Sequence, residues 1–530
     1  MEVRRIELAT TGQAAARQTT GEDLWTRPAR AGIAAASLLT VVAVLIHGFH
    51  PYAEDAGVYL PGVLKILHPE LYRAGTGFVT APERFSFFAA AMAGLIRLTG
   101  ANLTACIFAV YLASIWATFY AAWRILGRCY GKIEGCVGGV SILALCLSMP
   151  IAGTSLMLFD PYVTARSIST PCSLIAIGAA LDFVLDWRRG GRARWENAAI
   201  GLLSLMVAAF MHPLMGAYAV GCVVLFLCSS VRGARVRIAA FGLVAVIAVA
   251  VAMLLYILAP ARPAGYAYVA QTRYYWFPEN WHWYEIFGLI APLLLIGLIP
   301  YRAGLSNPAR CLARMALAAG AIGMGVWLLF AREASLNYAV ARLQPLRVFL
   351  VVYIVLILLS GAELGTRVLK RAGWRWLTLF LALGGLMLFV QFKSYPRSAH
   401  LELRPNQPSN DWERGFEWVK HNTPRDAVFA LDAHYITIPG EDAQNFRVIA
   451  ERCALPDYMK DGGLAAIEPD LTPDWLYGES VQEGLDQQDD VRRRAKLREA
   501  HVDWVVLASD AATSLPCPYR NESMKVCRVQ

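Results

Sequence analysis

Charge is scarce in this 530-residue chain: Asp, Glu, Lys and Arg make up 17% of it, against about a quarter in soluble domains. Apolar residues reach 57%, which excludes a disordered chain. The eleven cysteines lie mostly inside apolar runs, so they do not form the framework of a disulfide-held secreted domain. There is no Walker loop, no GxGxxG followed by an acidic residue, no HExxH and no paired CxxC. Those absences disfavour ATP-driven transport and dinucleotide chemistry. No basic stripe interleaved with aromatics is present, which argues against a nucleic-acid partner. Internal repeats and low-complexity runs are missing as well.

What is present is a series of apolar blocks, most of them near the length that crosses a bilayer. They cover 31–46, 103–123, 133–150, 171–187, 196–211, 214–230, 238–259, 284–300, 315–330, 347–363 and 376–392. The fold class this predicts is an α-helical polytopic membrane domain of about eleven spans over 31–392. A cytoplasmic segment, 1–30, precedes it, and a small extracytoplasmic α/β domain, 393–530, follows. The outer loops are 47–102, 151–170 and 260–283. Segment 86–98, SFFAAAMAGLIRL, is too short to cross and contains Arg97, so it reads as an interfacial or re-entrant helix.

Charge sets the orientation. Positive residues gather in five alternate loops: Arg124/Arg128/Lys132, Arg188/Arg189/Arg192/Arg194, Arg232/Arg235/Arg237, Arg302/Arg310/Arg314 and Arg367/Lys370/Arg371/Arg375. The short opposite loops hold only Arg166, Arg262, Arg273, Arg332, Arg342 and Arg347. Positive loops stay inside. The N-terminus, with Arg4, Arg5, Arg17, Arg27 and Arg30, is therefore cytoplasmic, and eleven spans put the tail outside. The tail carries 17 Lys+Arg against 23 Asp+Glu, the acidic balance expected of an outer domain. Its helix and strand patterns fall at 411–421, 426–431, 491–500 and 502–508. A hairpin at the C-terminus brings Cys517 and Cys527 near-opposite, able to pair in an oxidising space, with Cys453 as a competing partner.

Acidic residues are few in the membrane half, so their positions are informative. Glu54 and Asp55 follow the first span, and Asp160 sits in the second outer loop with Arg166. All belong to one membrane face. A carboxylate at that depth is costly unless it is paired or in a wet cavity. Glu54/Asp55 also fit as caps of a helix running through Tyr59 and Leu64, and Asp160 as a cap or an ion-pair partner of Arg166. Arg166, Arg342 and Arg347 are outward arginines suited to a lipid phosphate, or to snorkelling towards headgroups. His212, in the tight turn before Pro213, can donate to phosphate or act as a base; a packed, hydrogen-bonded histidine is the plainer reading. Segment 266–284, YAYVAQTRYYWFPENWHWY, is rich in rings. Trp276 and Trp281 there can stack on a sugar or simply anchor at the membrane edge.

The layout resembles the GT-C superfamily of polytopic glycosyltransferases, which use polyprenyl-phosphate-linked sugars. The likeness lies in the acidic pair Glu54-Asp55 of the first outer loop and the amphipathic segment 85–99. It extends to Asp160…Arg166 in the second outer loop and to the α/β tail with WVKHNTPRDAVF and VDWVVLA. The resemblance implies that Asp55 is the catalytic base or orienter, that Glu54 is its neighbour, and that Asp160 is a second acid. It implies a lipid-linked donor, a glycan, lipid or protein acceptor, and an inner-membrane location. A WWDYG-like sequon-reading signature and a DxD are absent, so no cofactor is certain and a divalent metal stays open. A non-catalytic scaffold or sugar-lipid binding protein is the alternative from another class, with a polysaccharide polymerase or transporter component behind it. Convergence of Asp55 and Asp160 on one cavity with an arginine discriminates between enzyme and scaffold.

Overall fold

In the computed structural model, residues 21–190, 194–302, 304–335, 337–403 and 410–529 are described. Arg4, Arg5 and Arg17 of the N-terminal segment, and Arg192 of the second basic cluster, lie outside them. Every apolar run of the sequence lies mostly in a helix; in run 133–150 the helix ends at Leu145. Nine described helices are long and apolar enough to cross a bilayer, from Arg30–His47 to Gly373–Ser394. Ile133–Leu145 and Trp195–Met211 are the two expected spans whose helices are shorter than that length. Only 6% of the apolar window in Ala234–Ile257 is buried. A bare apolar helix of that kind is solvated by lipid, not water. The chain is a multi-pass membrane protein.

The helix Ala56–Leu67 follows the first span and packs beside the 12-residue helix Phe88–Thr99. That second helix, the expected non-crossing segment, leaves Phe87 and Leu98 exposed on its outer side. Its start is pinned to the turn between Arg194–Met211 and Pro213–Ser230. There the Phe87 amide donates to the Phe210 carbonyl at 2.9 Å and Ser86 Oγ to the Met211 carbonyl at 2.6 Å.

The tail is a five-stranded sheet built from β1 (Val428–Ala430), β2 (Cys453–Ala454), β3 (Trp504–Ala508), β4 (Tyr519–Arg520) and β5 (Met524–Arg528). Its order is β2-β1-β3-β5-β4, parallel from β2 to β3 and antiparallel beyond. One face packs on Trp412, Phe416 and Val419 of the amphipathic helix Asp411–Asn422, the other on Leu485 and Leu497. Cys517 and Cys527 form a disulfide, and Cys453 is a buried free thiol.

The tail grips the loop after the first span tightly. The Phe49 amide donates to the His400 carbonyl at 3.0 Å. A Cβ on Gly57 would stand 1.6 Å from Asn445 Oδ1, so only glycine lets the tail approach this helix. His50 Nδ1 lies 2.8 Å from Glu402 Oε1. Burial, with Asp442 adding to it, pushes the Glu402 carboxyl up to about 8; burial pushes His50 down to about 4. A raised carboxyl keeps its proton in the folded state after the unfolded chain has lost it. Its penalty is absent below the unfolded pKa and grows as pH rises towards the folded one. Glu402→Gln accordingly flattens the fall of thermal stability between about pH 5 and 8, by on the order of 2 kcal/mol at the upper end, as read from unfolding in detergent across that range.

Candidate functional site

Two loops and the tail meet around Asp55. Asp55 is the residue before the helix Ala56–Leu67, but its side chain makes no cap bond. The capping expectation is corrected for it: the carboxylate turns to two cations instead. Arg166 Nη1 and Nη2 both donate to Asp55 Oδ2 at 3.0 Å, and Lys460 Nζ approaches Asp55 Oδ1 at 3.2 Å. Arg166 Nη2 also donates to Asp160 Oδ2 at 2.9 Å. Lys460 additionally pairs with Glu54 Oε2. The result is a chain of alternating charge: Glu54, Lys460, Asp55, Arg166, Asp160.

The local sequence explains how each member is held. Thr164 and Ser167 close a reciprocal cap at the start of Ala165–Arg189, which fixes Arg166 in the first helical turn. Lys460 opens the tail helix Lys460–Ile467, and its amide donates to Asp457 Oδ1 at 2.6 Å. Both cations thus sit where the helix dipole disfavours positive charge, so the carboxylates between them must compensate. Glu54 has φ +49°, a left-handed backbone for a non-glycine residue, and its amide is taken by Gln444 Oε1 of the tail.

Electrostatics separate the two aspartates. Burial pushes the Asp55 carboxyl up, but Lys460 and Arg166 outweigh it and hold the group well below the usual carboxylate range. Burial also pushes Asp160 up; Asp55 adds to that and Arg166 opposes it without cancelling it. Burial would lower Lys460, yet Glu54 and Asp55 raise it further, so its charge is secure.

Asp55 opens onto a cavity of 510 Å³, whose wall also includes Tyr59, Arg166, His212 and Lys460. Three more arginines line it: Arg273, Arg342 and Arg347. Arg273 donates to the Met459 and Tyr458 carbonyls, Arg342 to the Ile467 carbonyl, and Arg347 to Gln344 Oε1 at 2.6 Å. Among the described residues none of these three has a carboxylate within ion-pair distance. The apolar part of the wall includes Val58, Phe85, Pro213, Leu214, Ala217 and Leu343.

The structure thus brings Asp55, Arg166, His212, Arg342 and Arg347 to one cavity. Glu54 and Asp160 stand behind the wall as partners of Lys460 and Arg166. His212 caps Pro213–Ser230, accepting from the Met215 amide at 3.5 Å, as the plainer reading had it. Trp276 and Trp281 are corrected as a sugar platform: neither lines the cavity. Trp276 is buried, and Trp281 packs on Trp327 with its indole donating to the Tyr275 carbonyl. The ring-rich loop instead docks the tail, with Tyr266 Oη donating to the Ala466 carbonyl at 2.7 Å, and of its aromatic rings only Tyr275 lines the cavity, beside Arg273 of the same loop. Sequence reasoning missed Lys460 altogether. Nothing in Tyr458-Met-Lys460-Asp-Gly-Gly sets this lysine apart from the others of the tail.

A divalent metal does not fit the donors. Among the described residues no group of three His, Cys, Asp or Glu side chains is placed to hold one. Both oxygens of Asp55 already face fixed cations.

The crystal structure of an Archaeoglobus fulgidus oligosaccharyltransferase, tethered with an acceptor peptide containing the NVT sequon via a disulfide bond, has a similar fold. The TM-score is 0.51 at 11% identity, over 91% of this chain and 69% of that one. Comparison with family sequence patterns and with curated proteins finds no match.

Proposed function

We propose that this chain is a GT-C-type glycosyltransferase. It moves a sugar from a polyprenyl-phosphate-linked donor to an acceptor at the outer face of the inner membrane, with its N-terminus in the cytoplasm and its tail in the periplasm. The observation that carries the reading is the cavity itself: one ionised aspartate facing three arginines that lack carboxylate partners. Arginines held this way are complementary to a phosphate, through a fixed charge and forked donors. Apolar side chains in the same wall suit the first units of a lipid chain. The fold shared with an oligosaccharyltransferase supports the same reading.

In the proposed step the acceptor hydroxyl oxygen bonds to the anomeric carbon of the sugar. The bond from that carbon to the phosphate oxygen breaks, its electron pair leaving on the phosphate. Arg347, Arg342 and Arg273 stabilise the charge that develops there. Asp55 accepts the hydroxyl proton. Alone, a carboxylate held so low is a weak base at pH 7. An anionic phosphate beside it raises its pKa, so the base gains strength only when the donor is seated.

The scaffold alternative predicts no turnover. A deletion strain separates the two readings: lipid-linked sugar accumulates and one envelope glycan loses a residue by mass spectrometry. The wild-type gene restores the glycan, whereas Arg347→Ala restores it only when donor supply is raised. Unchanged glycans and lipid-linked sugars in the deletion strain would sink the reading.

A further inference from the structure

The two oxygens of Asp55 are shared between one cation from the membrane domain and one from the tail. Arg166 takes Oδ2, and Lys460 stands 3.2 Å from Oδ1 while also contacting Glu54. A divalent ion on this pair would need several oxygen donors from the same carboxylates, and it would lie against two fixed positive charges. The tail does not leave the lysine free to swing aside. Its side chain is mostly buried. Its amide is bonded to Asp457 Oδ1, and the preceding Met459 carbonyl accepts from Arg273 Nη1 at 2.7 Å. On the opposite side, Gln444 of the tail holds the Glu54 amide. The whole Glu54–Lys460–Asp55 contact is therefore built between two anchored backbones.

We propose that Lys460 is the resident counter-cation of the acidic pair, positioning Asp55 for transfer in place of a divalent metal, so that the reaction runs without one. The inference rests on the glycosyl-transfer reading of this cavity. It also gives the tail a part in catalysis: the membrane domain supplies the aspartate and the guanidinium on Oδ2, and the tail supplies the cation on Oδ1. The charged and titratable groups around Asp55 are Glu54, Tyr59, Lys460, Asp160, Tyr162, Arg166, Arg347 and His212. Only Lys460 among these is contributed by the tail.

The test uses the full-length protein in detergent. Mn²⁺ titration followed by electron paramagnetic resonance of the free ion shows no saturable site in the wild type, and chelation with EDTA leaves transfer unchanged. Lys460→Gln lowers kcat at least tenfold. It also moves the acid limb of kcat/KM up by about one pH unit, because a positive neighbour of Asp55 is gone. Lys460→Arg, which keeps the charge, recovers much of the rate. One equivalent of Mn²⁺ bound by the wild type and lost in Asp55→Asn overturns the proposal. So does a Lys460→Gln protein with a wild-type rate, or one whose rate falls while its acid limb stays in place. Where Lys460→Gln fails to fold, the wild-type titration and Lys460→Arg decide. If no sugar donor supports transfer at all, the glycosyl-transfer reading fails, whereas the Mn²⁺ titration still reports on the lysine.

Discussion

Asp55→Asn lowers kcat for sugar transfer by about 10²–10⁴-fold, the usual contribution of a positioned proton acceptor, with a much smaller change in donor KM. The arginines that would hold the phosphate (Arg273, Arg342 and Arg347) make none of their hydrogen bonds to Asp55, so donor binding survives the change. The amide is nearly isosteric, and Arg166 keeps Asp160 as partner. The pH profile adds a second handle. Asp55 in the free protein is held below the usual carboxylate range, so the acid limb of kcat/KM lies below about pH 4. The limb of kcat, which reports the donor-bound state, lies higher, because the phosphate opposes ionisation. An Asp55→Asn protein that expresses normally and keeps full turnover would falsify the assignment of the base. Reconstituted transfer with radiolabelled lipid-linked sugar, assayed across pH, measures both quantities.

The helices were legible in the sequence because their lengths are set by the bilayer and their spacing by the basic loops. Runs such as 238–259 and 347–363 could hardly be anything else. The short helix Phe88–Thr99 was legible by its length and Arg97. Asp55, Asp160 and Arg166 could be singled out for a related reason: charge near lipid is expensive and must be explained. The other half of the site was hidden. Lys460 lies 405 residues from Asp55, in a soluble domain where lysines are common and no hydropathy argument marks one out. Only the docking of the tail on the loop after the first span, through Asn445 against Gly57, brings it to the carboxylate. Trp276 and Trp281 misled for the opposite reason. Aromatic rings serve sugar stacking and domain packing equally well, and composition cannot separate the two uses. The strands β2 and β4, two residues each, were too short to leave an alternation pattern.

Arg166→Met should destabilise the protein by about 3–5 kcal/mol, the cost of leaving a buried carboxylate without its partner. Arg166 side-chain exposure is 8%, and Asp160 on the far side of the pair is buried to 7%. Nothing else among the described residues offers Asp160 an ion pair. The sign of the pH dependence follows from burial. Without Arg166 the Asp160 carboxyl, already raised, rises further, so the folded state keeps a proton that the unfolded chain releases above about pH 4. Stability of the variant then falls as pH increases from that point. The deficit against wild type is small at pH 5 and large at pH 8. Adding Asp160→Asn removes the stranded charge and returns most of the stability, a coupling expected of residues in direct contact. Transfer does not return with it, because Asp55 still lacks the guanidinium that holds its Oδ2. Thermal unfolding of the single and double variants at the two pH values, run beside the transfer assay, separates the structural part of Arg166 from its part at the reacting centre. A double variant that regained both stability and turnover would show that Arg166 serves the fold alone.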